Sequence, residues 1–157
     1  MKDKRTVSHF KRESMLVLTL TGFMIQVAAY SSCHRNGSQA NADKSAMKER
    51  VFALEHEYLG PIDVGNASAV PTENTEYIIA HKDEATPFLI DALGEFEKPV
   101  LIGYAAYCLR RIGSNRGKDA ATATYKKFMA KGEKVTIEER FARNELKAYL
   151  DYLEKPQ

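Results

Sequence analysis

The chain is poor in the residues from which catalytic and metal sites are usually built. It has four histidines. His9 and His34 flank an apolar N-terminal run, His56 lies between Glu55 and Glu57, and His81 lies two residues before Asp83. No two histidines stand one helical turn apart with a glutamate, which excludes the zinc-peptidase pattern. There is no Gly-x-Ser-x-Gly elbow and no phosphate-binding loop. Gly113 to Gly117 reads as a helix connection rather than an anion site. Asp83, Glu84, Glu95 and Glu97 read as exposed turn carboxylates, since a catalytic acid needs a cleft and a shifted pKa. No stretch alternates apolar and polar residues, which argues against a sheet, although Val64 to Val70 could hold a short extended segment. We expect no enzyme, no catalytic residue, no cofactor and no metal site.

Cysteine is also scarce, with Cys33 and Cys108 the only two. Cys108 lies in the apolar run Tyr104–Leu109 and reads as a buried thiol packing as a small hydrophobe. Charge of one sign is lacking too. The chain holds 23 basic and 21 acidic residues. Five of the basic ones (Lys2, Lys4, Arg5, Lys11, Arg12) and two acidic ones (Asp3, Glu13) precede residue 33. The remainder has 18 basic and 19 acidic residues, a formal charge near −1. Nucleic acid is not an expected partner, because that requires a concentrated basic face.

What is present is an apolar run, Met15 to Ser32, behind a basic lead and closed by small residues and Cys33. As a helix it would span about 27 Å at ~1.5 Å per residue, short of the roughly 30 Å hydrocarbon core of a bilayer. Thr19, Thr21, Gly22 and Gln26 weaken it further as a permanent span. That layout is the one of a secretory signal. Tyr30-Ser31-Ser32-Cys33 resembles a bacterial lipobox, with Tyr30 in place of the usual aliphatic residue. The resemblance implies cleavage before Cys33, lipidation of Cys33 and, with His34 rather than aspartate following it, the outer membrane on its periplasmic side. Two or more acyl chains would anchor stably where one would not. An uncleaved inner-membrane signal-anchor and a secretory signal cut near Ala29 are the alternatives. We read residues 1–32 as signal or anchor, 33–44 as lipidated cysteine and flexible tether, and 45–157 as a helical domain.

Periodicity places about six helices after the tether. Ser45 can cap the first, which carries Met47, Val51, Leu54 and Tyr58 and stops at Gly60-Pro61. The second opens at Thr72 or Glu73 and breaks at Lys82-Asp83-Glu84. The third begins near Ala85 to Pro87 and ends at Gly94. The fourth runs from Pro99 to Ile112, with Arg110 and Arg111 suiting the dipole and Gly113 the position past the end. The fifth spans Lys118 to Lys131 with Ala121, Tyr125, Phe128 and Met129 as its apolar side. The sixth opens on a Thr136/Glu139 capping box and buries Ile137, Phe141, Leu146, Tyr149, Leu150 and Leu153.

The stretch Ala85 to Gly113, a helix, an acidic turn, a proline and a helix rich in small residues ending Arg-Arg-Ile-Gly, resembles one HEAT-like repeat. Leu89, Leu93, Ala105, Ala106, Leu109 and Ile112 match that family's core positions, while Leu101, Gly103 and Tyr104 depart from it. The expected fold is all-α, antiparallel helix pairs forming either a short HEAT-like superhelix or a compact bundle. Helix-pair solenoids present grooves to protein partners. The expected function is a non-catalytic, membrane-tethered module that docks another envelope protein, as adaptor or immunity protein. A structural envelope lipoprotein and a small-molecule or metal-binding lipoprotein are the alternatives. Tyr152, beside the apolar face of the last helix, is a candidate contact.

Overall fold

Residues 41–60 and 67–155 are described by the structure, a computed structural model. The Met15–Cys33 segment with its lipidation candidate Cys33, the tether as far as residue 40, and Val64 all lie outside the described residues. The chain divides between Asp43 and Lys44, and the unit that follows is all-α. Helix α1 covers residues 41–52 and tightens into a 3-10 turn, Ala53–His56. Then come α2 (Glu73–Ala80), α3 (Lys82–Ala92), α4 (Pro99–Ile112), α5 (Lys118–Ala130) and α6 (Ile137–Glu154). Among the described residues there is no strand, only an isolated antiparallel bridge between Leu59 and Ala69. No helix among them is long and apolar enough to cross a membrane.

Local chemistry explains most of these boundaries. The capping boxes form at Thr72 with Thr75 and at Thr136 with Glu139. Pro99 opens α4, and Gly113 ends it at φ 74°, a left-handed conformation that a side chain would strain. Three boundaries differ from expectation. Helix α1 is already formed at residue 41, so Ser45 lies inside it, and it stops at His56, leaving Tyr58 outside the helix and 75% exposed. Lys82-Asp83-Glu84 does not break the chain but starts α3 immediately after the His81 junction, because Asp83 and Glu84 suit a helix N-terminus. Pro87 consequently sits inside α3 rather than in its first turn. It has no N–H to donate to the preceding turn, where the Thr86 hydroxyl donates to the Lys82 carbonyl at 2.6 Å.

The helices gather around α4 as a compact bundle. Every residue from Leu101 to Leu109 is buried. A helix buried on all sides must be covered all round, and α6, α3, α2 and the 3-10 turn supply that cover. The α6 seam is the most extensive, and α5 packs in turn on α6. The six HEAT-like positions are placed accordingly: Leu89, Leu93, Ala105, Ala106 and Leu109 are fully buried, and Ile112 packs against the core edge. Thr124 on α5 donates to the Leu93 carbonyl at the end of α3 at 2.7 Å, and Phe128 meets Phe96 from the α3–α4 turn at 4.8 Å between ring centroids.

Gly103 sets the depth of the α4–α6 seam. A Cβ at this position would lie 2.2 Å from Phe141 Cε1. The Phe141 ring therefore rests on the α4 backbone, with Tyr104 beside it at 5.4 Å. One turn further along α6 come Glu145 and Leu146, then Tyr149, all buried. The Tyr149 hydroxyl donates to the Ser114 carbonyl at 2.7 Å, anchoring the far end of the seam to the α4–α5 turn.

Overpacking a filled core typically costs about 1–3 kcal/mol. Gly103→Ala should destabilise by about 2–3 kcal/mol in urea denaturation, and adding Phe141→Leu should recover part of that loss. A Gly103→Ala variant as stable as the parent would contradict this packing.

Candidate binding surfaces

Buried polar side chains in this fold serve packing. Tyr104, fully buried, donates its hydroxyl to the Tyr58 carbonyl at 2.5 Å and accepts from the Val70 N–H at 3.3 Å. Glu145 accepts from the Ala69 N–H at 3.2 Å through Oε1 and from Arg110 Nη2 at 3.0 Å through Oε2. Together they hold both edges of the segment that follows the 3-10 turn against α4 and α6. Both carboxylate oxygens of Glu145 are thus engaged, as a structural acid requires. Arg110 Nε, by contrast, is buried without an acceptor among the described residues. The role of Glu145 was not read from the sequence. Its signal was a charged residue one turn from both Phe141 and Tyr149 on the apolar face of α6.

The sequence candidates for chemistry are not brought together. His56 is 81% exposed by its side chain and stands 3.3 Å from Glu55. His81 Nδ1 lies 2.8 Å from the Tyr77 carbonyl, and its ring stacks on Tyr77 at 4.1 Å. Among the described residues no group of three histidine, cysteine, aspartate or glutamate side chains could hold a metal ion. In the Gly113–Gly117 connection, the Ser114 hydroxyl accepts from the Arg116 N–H at 3.4 Å, and Gly117 is packed beneath Leu109 and Tyr149. Tyr152 is half-buried with its hydroxyl close to Gly113.

Among the described residues, two open grooves can be compared. The larger, about 720 Å³, lies between α1 and the start of α2. Glu49, Glu57 and Glu73 line it with a single cation, Arg50. The Arg50 guanidinium lies 4.1 Å from the Tyr77 ring centroid, a cation–π contact that fixes both groups.

The smaller groove, about 400 Å³, runs between α5 and α6. Its α6 wall carries Arg140, Arg143 and Lys147, which recur at three- and four-residue spacing along one stripe. Tyr125 and Met129, one turn apart on α5, and Val135 from the connection give it an apolar floor. Met129 was expected with the core side of α5. It is 45% exposed, and Thr124 takes the inward position with Ala121 and Phe128. Ile137, expected in the α6 core face, is likewise 43% exposed at the helix start. Arg143 is held in place: Nη1 donates to the Gly132 carbonyl at 3.0 Å and Nη2 to Met129 Sδ at 3.1 Å. Both acceptors are neutral, so these contacts orient the guanidinium without neutralising it. Lys147 shares its charge with Asp151 at 2.7 Å.

Burial raises the pKa of three acids in the core. The Cys108 thiol, enclosed in α4, is pushed from its ordinary 9.0 up to about 12, chiefly by loss of solvation. Tyr104 and Tyr149 are raised from 10.0 for the same reason, partly offset by a backbone hydrogen bond to each. The thiolate is the reactive form, so a thiol held neutral in this way is inert. No known protein family, curated protein or solved structure matches this chain.

A raised acid pKa favours folding while the group is protonated in both states. Above the unfolded value the unfolded chain releases its proton and the native state does not, so stability falls as pH rises. The Cys108 contribution should begin to fall as pH approaches 9 and be reduced by on the order of 2 kcal/mol by about pH 10.5. Urea midpoints across that range measure the loss, and Cys108→Ala should reduce it, leaving what Tyr104 and Tyr149 contribute above about pH 10. A midpoint unchanged through pH 11 would contradict the burial.

Proposed function

We propose that this chain is a non-catalytic, membrane-tethered helical module that docks another protein of the cell envelope. The α5–α6 groove carries the reading. It combines an oriented arginine, an exposed methionine and a half-buried tyrosine, the residue types that dominate protein interfaces. Supporting it are the lipobox-like Tyr30-Ser31-Ser32-Cys33 and the polar tether, which would hold the module at the outer membrane through lipid on Cys33. The α3–α4 hairpin would be a HEAT-like unit, its Leu101, Gly103 and Tyr104 departures adapting it to a bundle rather than to an extended array. Tyr104 staples the segment after the 3-10 turn, and Gly103 admits Phe141.

Two measurements test this reading. In cells fed labelled palmitate the parent chain should take up label, and Cys33→Ala should not. Label retained in Cys33→Ala would remove the lipid anchor from the account. The full chain, tagged and solubilised from its envelope, should retain one dominant protein at near one-to-one ratio through a high-salt wash, and titration calorimetry with that purified protein should reproduce the ratio. The partner's own activity then separates an adaptor from an immunity protein. Retention of nothing, or of many proteins in trace amounts, would contradict a docking module.

A further inference from the structure

We infer that the α5–α6 groove accepts an acidic segment of the partner protein, one whose carboxylates flank an apolar side chain. This inference rests on the docking reading above and names the partner chemistry of the same surface. Charge favours such a segment. Arg143 and Lys147 line the groove with one carboxylate, Glu133; Lys147 is paired with Asp151, so the charge open to a partner is that of Arg143. The rest of the domain has no cationic excess. Residues 33–157 carry a formal charge near −1, and the α1–α2 groove has the opposite balance. The cationic character is therefore local, the pattern that steers one partner rather than attracting every anion.

Arginine offers a planar fork that matches a carboxylate, and less entropy is lost when that fork is already oriented. Arg143 is oriented by Gly132 and Met129. Its acceptors are neutral, so its charge remains for an incoming carboxylate. Gly132 can present its carbonyl there because it ends α5 at φ 74° with open space around it. Met129, Tyr125 and Val135 offer apolar area beneath the cations, and methionine adapts its shape to what it meets. A bare anion would leave that area wet, whereas a segment with an apolar side chain would cover it. An anionic lipid surface fits less well. It favours clusters of about four to eight flexible cations, and here Arg143 is fixed and Lys147 is paired with Asp151.

The test uses the full chain in detergent and a short fluorescein-labelled peptide of glutamates around a central phenylalanine and leucine. Fluorescence anisotropy should show saturable binding that weakens as salt is raised. Replacing the glutamates by lysines should abolish it. Arg143→Glu should weaken it at least about tenfold, as expected for reversing one member of a close charge pair. Met129→Glu places a carboxylate on the groove floor at an exposed position and should do the same without touching the core. Arg116→Glu, on the exposed α4–α5 turn, should leave binding unchanged. Melting curves check that each variant is folded.

The inference is overturned if the acidic peptide does not bind, if the lysine peptide binds equally well, or if Arg143→Glu and Met129→Glu bind as the parent does. It is also overturned if the chain ignores the peptide and instead binds phosphatidylglycerol vesicles, or self-associates in sedimentation through Arg143. A partner still captured by Arg143→Glu at parental affinity would defeat this inference and leave the docking reading standing. Failure to capture any partner would defeat the docking reading itself.

Discussion

The contact between Gly103 and Phe141 is the constraint on which this fold depends. A helix buried along nine consecutive residues needs neighbours that approach closely, and only a glycine lets an aromatic ring rest on the backbone itself. From that crossing, α6 runs along α4 with Glu145, Leu146 and Tyr149 facing inward. Tyr104, next to the glycine, then reaches the segment after the 3-10 turn, and Glu145 reaches the same segment from α6. A one-residue shift of α6 would separate Glu145 from Arg110 and Ala69, and Tyr149 from Ser114. The seam thus sets not only packing but the position of the loop edges and of the α4–α5 turn.

The outer side of α6 inherits its geometry from the inner one. Phe141, Glu145 and Tyr149 face α4, and the helical repeat places Arg140, Arg143 and Lys147 toward α5 and solvent. Helix α5 is itself held from beneath by Thr124 at the end of α3 and by Phe128 against Phe96. The groove is therefore mounted on two helices whose buried faces are committed to the core. Sites on such elements are better organised than sites on loops. The inert Cys108 and the satisfied Glu145 belong to this same economy: groups that could react or titrate in solution are used as packing and as hydrogen-bond acceptors.

Much of the fold was legible because the helix ends are chemically marked. Pro99 and Gly113 bracket α4, and the Thr136/Glu139 box opens α6, all at their expected places. The start of α3 was not legible, because a charged triplet reads equally well as a break or as a dipole-compatible first turn. Gly103 was visible only as a departure from the HEAT-like pattern, since nothing local says which ring will lie on it. The groove was hidden for a related reason. Tyr125, Phe128 and Met129 all fall on one broad apolar arc of α5, and only the packing of α6 and the α3–α4 turn decides that Phe128 goes in and Met129 stays out. The capping of short segments is local and can be read. The choice between two neighbouring apolar positions is tertiary and cannot.

Native-state amide hydrogen exchange of the full chain tests the central claim most directly, because it ranks the stability of each helix without any substitution. If the Gly103–Phe141 seam organises the fold, the slowest amides should be those of α4 and the α4-facing turns of α6, exchanging together and only through global unfolding. Residues 67–70 should form the next most protected group, held by Tyr104 and Glu145. Exchange of α4 ahead of α1 or α5, or independent opening of α4 and α6, would contradict a bundle organised on that seam.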